Sequence, residues 1–273
     1  MEGIIVKNIS NIYTVKCKNG RYDCTARGKF KYDKITPVVG DHVLINIDNK
    51  IITDIHKRKN YLIRPSVANV DIAFIMVPVI PKIDLVLLDK LITIISYNNI
   101  EPVICFTKAD LLNDLSTVNN YLNYYNKIGY KSLFNSNLDY IKDIIKGKTV
   151  IFAGQSGSGK STLLNTLDSS LELKTNEISI ALGRGKHTTR HTELYEVCNS
   201  FVVDTPGFSA IDFTGMDKRD IRDNFNEMYS NLEFCKYRDC MHDKEDGCRV
   251  KKLVEEGTIL KERYDNYLYF IRR

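Results

Sequence analysis

Between residues 1 and 63 apolar positions come in short alternating runs, GIIVKNI, IYTVKCKNGRYDCTARG and VVGDHVLINIDNKIITDI, punctuated by Asn19-Gly20 and Gly40-Asp41. Alternation at period two between turn residues predicts strands, and no helical period of useful length interrupts them. The stretch reads as a small β-barrel or β-sandwich. Near residue 70 the pattern changes. The run VDIAFIMV precedes IDLVLLDKLITIISYNN, whose apolar residues recur at helical spacing, and then come EPVICF and a helix expected over 111–127. A short strand near 130–134, a helix near 138–146 and the strand KTVIFAG follow. Strands alternating with helices imply an α/β domain with a mainly parallel sheet. From about 216 the chain turns helical and polar, with clustered cysteines. The expected organisation is therefore 1–64, 65–215 and 216–273.

Composition changes this picture little. At 273 residues, 43% hydrophobic and 10% aromatic, the chain can bury real cores. The balance of 39 Lys+Arg against 34 Asp+Glu, net +5, is compatible with a nucleic-acid partner without requiring one. The opening MEGIIVKNISNIY has an acid at position 2 and no long apolar run, unlike a secretory signal. The most apolar region is broken by Asp71, Lys82, Asp84, Asp89 and Lys90 and by Pro78 and Pro81, which a membrane span would not tolerate. A cytoplasmic location is expected, without membrane contact. Seven cysteines, an odd count, favour thiols or metal ligands over a disulfide framework.

The strongest chemical signal is Gly154-Gln155-Ser156-Gly157-Ser158-Gly159-Lys160-Ser161, which follows the strand TVIFA and opens the helix KSTLLNTL containing Thr162. Glycines let successive backbone N–H groups turn toward phosphate oxygens, and the helix N-terminus adds positive potential. Lys160 would reach the β- and γ-phosphates, and Ser161 would give a hydroxyl to Mg²⁺. In FVVDTPGF, Asp204 ends an apolar strand and can hold Mg²⁺ through water, while the Gly207 N–H can reach the γ-phosphate. Between these lies GRGKHTTRH, where Thr188 or Thr189 could complete the Mg²⁺ shell in a nucleotide-dependent switch. A basic surface loop is the plainer reading of that stretch.

Thr107-Lys108-Ala109-Asp110 ends a strand of the same sheet. Asp110 can accept hydrogen bonds from guanine N1–H and its exocyclic amine, a donor pair adenine lacks, while the Lys108 stem lies along the base. Ser136, in NSN, is the expected second base element. The base reader here precedes the phosphate loop, so all five elements are present but rotated, as circular permutation would leave them. Separately, Cys235-x4-Cys240-x-His242-x5-Cys248 offers three thiolates and an imidazole within fourteen residues, enough for one closed, structural Zn²⁺ site. Cys17, Cys24, Cys105 and Cys198 lack partner spacing and read as structural, the last two on apolar strands. For RNA, Arg21, Tyr22, Arg27, Lys29, Phe30, Lys31, Tyr32 and Lys34 mix cations with aromatics, as does RYDNYLYFIRR, although an amphipathic helix packing its tyrosines inward explains the latter equally.

With these motifs in this order, the chain resembles the circularly permuted ribosome-assembly GTPases of bacteria, the RsgA (YjeQ) family, over nearly its whole length. The resemblance implies an N-terminal OB-fold barrel that binds RNA, a permuted phosphate-loop GTPase domain and a C-terminal, mainly helical zinc domain. It also implies action in late maturation of the small ribosomal subunit, with that subunit and its rRNA as partners and GTP hydrolysed to GDP with Mg²⁺. Thr107 stands where many GTPases have Asn, and weaker base affinity is expected. Phe208 stands where Ras-like enzymes place glutamine, so slow intrinsic hydrolysis is expected, stimulated by the small subunit. His187, Lys160 and Thr189 are the candidate catalytic residues, His187 either positioning water or contacting phosphate or RNA. A monomer is expected, in which the γ-phosphate contact at Gly207 biases the zinc domain. An ATP-using phosphate-loop enzyme and a non-hydrolysing RNA-binding factor are the competing classes, and Asp110 argues against the first.

Overall fold

The structure is a computed structural model that describes residues 1–32, 35–63, 65–169, 192–203 and 212–273. Two compact units emerge: the described residues of Met1–Phe74, Asn98–Ile100 and Asn135–Ser209, and those of Ile75–Tyr97, Glu101–Phe134 and Ala210–Arg273.

In the first unit the alternating runs form β1 (Glu2–Ile9), β2 (Ile12–Cys17) and β3 (Gly20–Ala26), then a one-turn helix α1 (Lys29–Tyr32), then β4 (His42–Asn46) and β5 (Ile51–Ile55). They close into a barrel in the order β1-β2-β3-β5-β4, so the barrel alternative holds over the sandwich. Ile5, Tyr13, Val15, Cys17, Cys24, Val43, Ile45 and Ile52 fill it. Closure needs bending, which bulges supply. Register slips between Ile5 and Lys7 of β1, so the consecutive residues Ile5 and Val6 are both buried, and again between Leu44 and Ile45. Gly3 is required where β1 and β2 approach, because a Cβ there would lie 2.6 Å from both Cys17 Sγ and Val15 Cγ1. Outside the barrel wall, Asp41 is fully buried and accepts from the Val38 amide at 2.8 Å and from Arg58 Nε at 2.7 Å.

A short hairpin, β6 (Tyr61–Leu62) with β7 (Val67–Ala68), leads into β8 (Ile72–Pro78), which starts in the first unit and ends in the second. The second unit continues with α2 (Leu85–Tyr97), β9 (Glu101–Thr107), α3 (Ser116–Lys127) and β10 (Lys131–Phe134), its strands ordered β10-β9-β8. Back in the first unit come α4 (Leu138–Ile145), β11 (Thr149–Ala153), α5 (Lys160–Leu167), β12 (Leu194–Val197) and β13 (Ser200–Val203), with strand order β11-β13-β12. β9 pairs with β10 and β11 with β13 in parallel, while β12 is antiparallel to β13. Strands covered on both faces explain the unbroken apolar runs IAFIMV and TVIFA. The helix expected over 111–127 begins only at Ser116, where the Asp114 carboxylate accepts both the Ser116 amide and hydroxyl at 2.8 Å; Ala109–Leu111 is a separate 3₁₀ turn.

The rest of the second unit is helical: α6 (Lys218–Asp223), α7 (Asn226–Ser230), α8 (Arg249–Glu255) and α9 (Lys261–Ile271). A capping box formed by Asp217 and Asp220 starts α6. Ile221, Phe225, Met228, Val250, Tyr267 and Phe270 form its core. Inside this unit Arg263 of α9 is buried between two carboxylates, Asp89 of α2 and Glu227 of α7. Tyr125 and Asn266 each donate to Asp89 at 2.7 Å, and the Arg263 guanidinium lies 4.4 Å from the Phe225 ring centre. In the sequence Asp89 is a break in an apolar stretch; in the fold it is the acceptor that receives α9.

Candidate functional site

Strand β11 ends at Ala153 and the loop Gly154–Gly159 carries the chain into α5. Gly154, Gly157 and Gly159 hold φ of 134°, 72° and 91°, backbone that residues with a Cβ seldom adopt, and this is why the motif needs glycine at those places. Lys160 folds back over the loop. Its Nζ donates to the carbonyls of Gly154 at 2.9 Å and Gln155 at 2.7 Å and to Ser158 Oγ at 3.2 Å. Partial burial lowers its pKa from the ordinary lysine value, so an arriving anion would meet an under-solvated cation. Ser158 and Ser161 are buried, whereas Gln155, Ser156, Gly157 and Thr162 are exposed. The eight residues from Gly154 to Ser161 thus form one local anion-ready element.

In the second unit β9 ends at buried Thr107. Lys108 takes left-handed φ of 62°, and the turn is closed by Leu111 N–H donating to Lys108 O at 3.2 Å. Ala109 is half-buried and Asp110 exposed, its carboxylate presented at the surface. Ser136 belongs to the first unit; it is also exposed, and its carbonyl accepts the Leu138 amide at 2.9 Å. His187, Thr188, Thr189, Asp204 and Gly207 lie outside the described residues.

Cys235, Cys240, His242 and Cys248 come together, their ligand atoms all within 4.8 Å of one another. His242 Nδ1 is 3.6 Å from Cys235 Sγ and 3.3 Å from Cys248 Sγ, and the two sulfurs are 4.0 Å apart. A tetrahedral zinc ion with ordinary bond lengths would set edges of roughly 3.8 Å between sulfurs and 3.6 Å from sulfur to nitrogen. The donor set and its spacing fit such an ion. Burial pushes His242 down to about 4, keeping the imidazole neutral, and pushes the Cys240 thiol up to about 12. Buried thiols that resist ionisation become thiolates when a divalent cation supplies the compensating charge. Cys17, Cys24 and Cys105 are buried in their sheets. Cys198 is not on a strand: with Asn199 it makes the β12–β13 turn, φ of 48° and 58°, the paired positive values that two-residue hairpins demand.

Several contributors were not evident from the motifs. Glu245 accepts the amides of Met241 at 2.7 Å and Asp243 at 2.9 Å, and Tyr264 and Tyr267 donate to the carbonyls of His242 and Met241, each at 2.6 Å. The C-terminal tyrosines Tyr264 and Tyr267 therefore pack inward, as the amphipathic alternative had it, while Tyr269 is exposed. Their signal was present only as helical spacing in RYDNYLYFIRR. Of the barrel's basic and aromatic residues, Arg27 and Lys29 are exposed and border a groove of about 610 Å³ with Phe30 and His56, and Tyr32 is exposed. Among the described residues no helix is long and apolar enough to cross a membrane.

The family model for the RsgA GTPase matches residues 55–214, and that for the RsgA N-terminal domain matches residues 2–52. The small ribosomal subunit biogenesis GTPase RsgA of Bacillus cereus is 44% identical over 281 aligned residues, covering 99% of this chain and 96% of the relative. Its counterpart in Clostridium acetobutylicum is also 44% identical, covering 98% and 96%. Among solved structures, the circularly permuted GTPase YloQ superposes with a TM-score of 0.84 at 35% identity, covering 99% of this chain and 93% of that one. YjeQ from Thermotoga maritima gives 0.85 at 31%, covering 99% and 97%.

Proposed function

Because the chain belongs to the RsgA family of circularly permuted GTPases, we propose that it binds the small ribosomal subunit, assists its late maturation and leaves on hydrolysing GTP to GDP and phosphate. The observation that carries this is the phosphate loop, with three glycines at positive φ and Lys160 folded onto the loop carbonyls. On nucleotide binding the amides of Gly154–Ser161 take up phosphate oxygens, and the Lys160 ammonium exchanges carbonyl acceptors for β- and γ-phosphate oxygens. Ser161 and Thr189, with Asp204 through water, would hold magnesium, which would supply charge neutralisation for the phosphates. Asp110 accepts from guanine N1–H and amine, Lys108 covers the base, and Thr107, Ala109 and Ser136 complete its surround. The Gly207 N–H donates to a γ-phosphate oxygen. With Phe208 where a glutamine would orient water, turnover is slow alone, and His187 or a group of the bound subunit positions the nucleophile.

Cys235, Cys240, His242 and Cys248 would hold zinc in a structural role, since four protein ligands would leave no open position. The barrel is the OB-fold RNA-binding domain, over 1–64, followed by the GTPase domain at 65–215 and the zinc domain at 216–273; the chain works as a cytoplasmic monomer. Turnover of GTP and ATP by purified protein, with and without small subunits, tests the reading. GTP-selective hydrolysis accelerated by small subunits is expected; equal use of ATP, or subunit binding with no hydrolysis, would overturn it.

A further inference from the structure

The metal loop Met241–Asp243 is gripped on two sides by groups that are not ligands. Its carbonyls at Met241 and His242 accept from the hydroxyls of Tyr267 and Tyr264, both on α9 and both at 2.6 Å. Its amides at Met241 and Asp243 are received by the two carboxylate oxygens of Glu245, at 2.7 and 2.9 Å. Between these grips His242 is fully buried and holds left-handed backbone, φ 56°, which a residue with a side chain keeps only where neighbours fix it. The ring is fixed too: Nε2 lies 3.1 Å from the Met228 carbonyl, an acceptor only, so Nε2 carries the proton and Nδ1 is the free lone pair. That Nδ1 faces Cys235 and Cys248 sulfur.

From this arrangement we propose that Tyr264, Tyr267 and Glu245 are positioning residues for the metal, and that His242 ligates through Nδ1 with Nε2–H held on the Met228 carbonyl. The last helix of the chain completes the metal centre without giving it a ligand. Partners of this kind, orienting a ligand from behind, commonly change metal affinity by about 10- to 100-fold when removed. Backbone N–H groups point at the sulfurs as well, His242 N–H to Cys240 Sγ and Arg249 N–H to Cys235 Sγ, both at 3.4 Å. Displacing the loop would therefore disturb the thiolates along with the imidazole.

The test uses the full chain loaded with Co²⁺ or Zn²⁺. Tyr264→Phe with Tyr267→Phe removes two hydroxyls and keeps both rings in the core. The expected result is folded protein by circular dichroism, Co²⁺ binding weakened about 10- to 100-fold in chelator competition, and altered thiolate-to-cobalt and ligand-field bands. Glu245→Gln, which keeps one acceptor oxygen, should weaken binding less. A double variant that loses thermal stability but keeps wild-type Co²⁺ affinity and spectrum would assign the tyrosines a packing role only and overturn the proposal. Should the double variant fail to fold, the single tyrosine variants carry the same readouts. The imidazole assignment needs no variant: ¹⁵N histidine spectra of the Zn²⁺-loaded wild type should show the proton on Nε2 of His242, and a metal-bound Nε2 would overturn it.

Discussion

The phosphate loop and the cysteine–histidine cluster both prepare a place for charge, from opposite materials. The loop is made of backbone: three glycine torsions shape it, and its one cation, Lys160, rests on its own carbonyls. The cluster is made of side chains: three buried donors and the half-buried Cys235, with hydroxyls from α9 and a carboxylate from the loop itself fixing the segment that carries His242. A site of backbone depends on a few torsions and leaves neighbouring side chains such as Gln155 and Ser156 exposed. A site of side chains is part of the core, so losing it is a folding event. The two should therefore fail differently, one in affinity and the other in stability.

Metal removal is the largest expected effect. Binding free energies of about 10–16 kcal/mol at neutral pH are typical of small units folded around zinc. Stripping the protein with a strong chelator, or replacing Cys248 with Ala, should make the region from α6 to α9 sensitive to protease and lower its unfolding temperature. A metal-free chain that melts and resists protease like the loaded one would erase the contrast. Next comes the buried cation of the same unit. Arg263→Met strands Asp89 and Glu227 in the core, at a cost of about 3–5 kcal/mol in urea unfolding, whereas replacing all three with apolar residues should recover most of it. If single and triple variants unfold alike, the two carboxylates are not what Arg263 compensates.

The loop should behave the other way. Lys160→Ala removes a cation whose present partners are two loop carbonyls and the Ser158 hydroxyl, acceptors that water can also satisfy, so stability should stay within about 1 kcal/mol of wild type. GTP turnover should drop by about 10²- to 10³-fold, the usual loss when one preorganised charge-stabilising group is deleted. Paired measurement of melting and turnover decides this; a strongly destabilised variant would mean that the lysine braces the loop.

What the sequence made legible follows the same division. GQSGSGKS could be read because backbone geometry demands glycine at fixed places, and the ligands Cys235, Cys240, His242 and Cys248 because thiolate and imidazole spacing is local. Alternation announced the barrel, yet nothing in GIIVKNI announces the bulge that buries both Ile5 and Val6. Asp89, Glu227 and Arg263 are 138 and 174 positions from first to second and from first to third along the chain (227 − 89 and 263 − 89), so no local pattern pairs them. Asp89 looked like an interruption because period and composition register a charge without its partner. Cys198 looked like strand because its apolar neighbours did, and only the paired positive φ with Asn199 identifies the turn. Long-range polar contacts, then, are what period and spacing miss.

The smallest expected effect lies where the barrel meets β12 within the first unit. Glu196 of β12 accepts from Lys16 of β2 at 2.6 Å and Arg21 of β3 at 2.9 Å, and Lys7 of β1 pairs with Glu193 at 3.0 Å. The Lys16 hydrogen bond, then that of Arg21, holds the Glu196 carboxyl below its ordinary value of 4.5. A depressed carboxylate stabilises the fold above its unfolded value and loses that contribution as pH falls through the lower folded one. Wild type should thus exceed Glu196→Gln in stability at pH 7 and converge with it in acid below 4.5. Both partners are substantially exposed, so the gap should stay under about 1 kcal/mol and shrink further with salt. Equilibrium unfolding of both proteins at neutral and acid pH, each at low and high salt, measures it. A gap that persists in acid would mean Glu196 acts by packing its stem, and a gap of several kcal/mol would mean that this surface pair behaves like the buried one around Arg263.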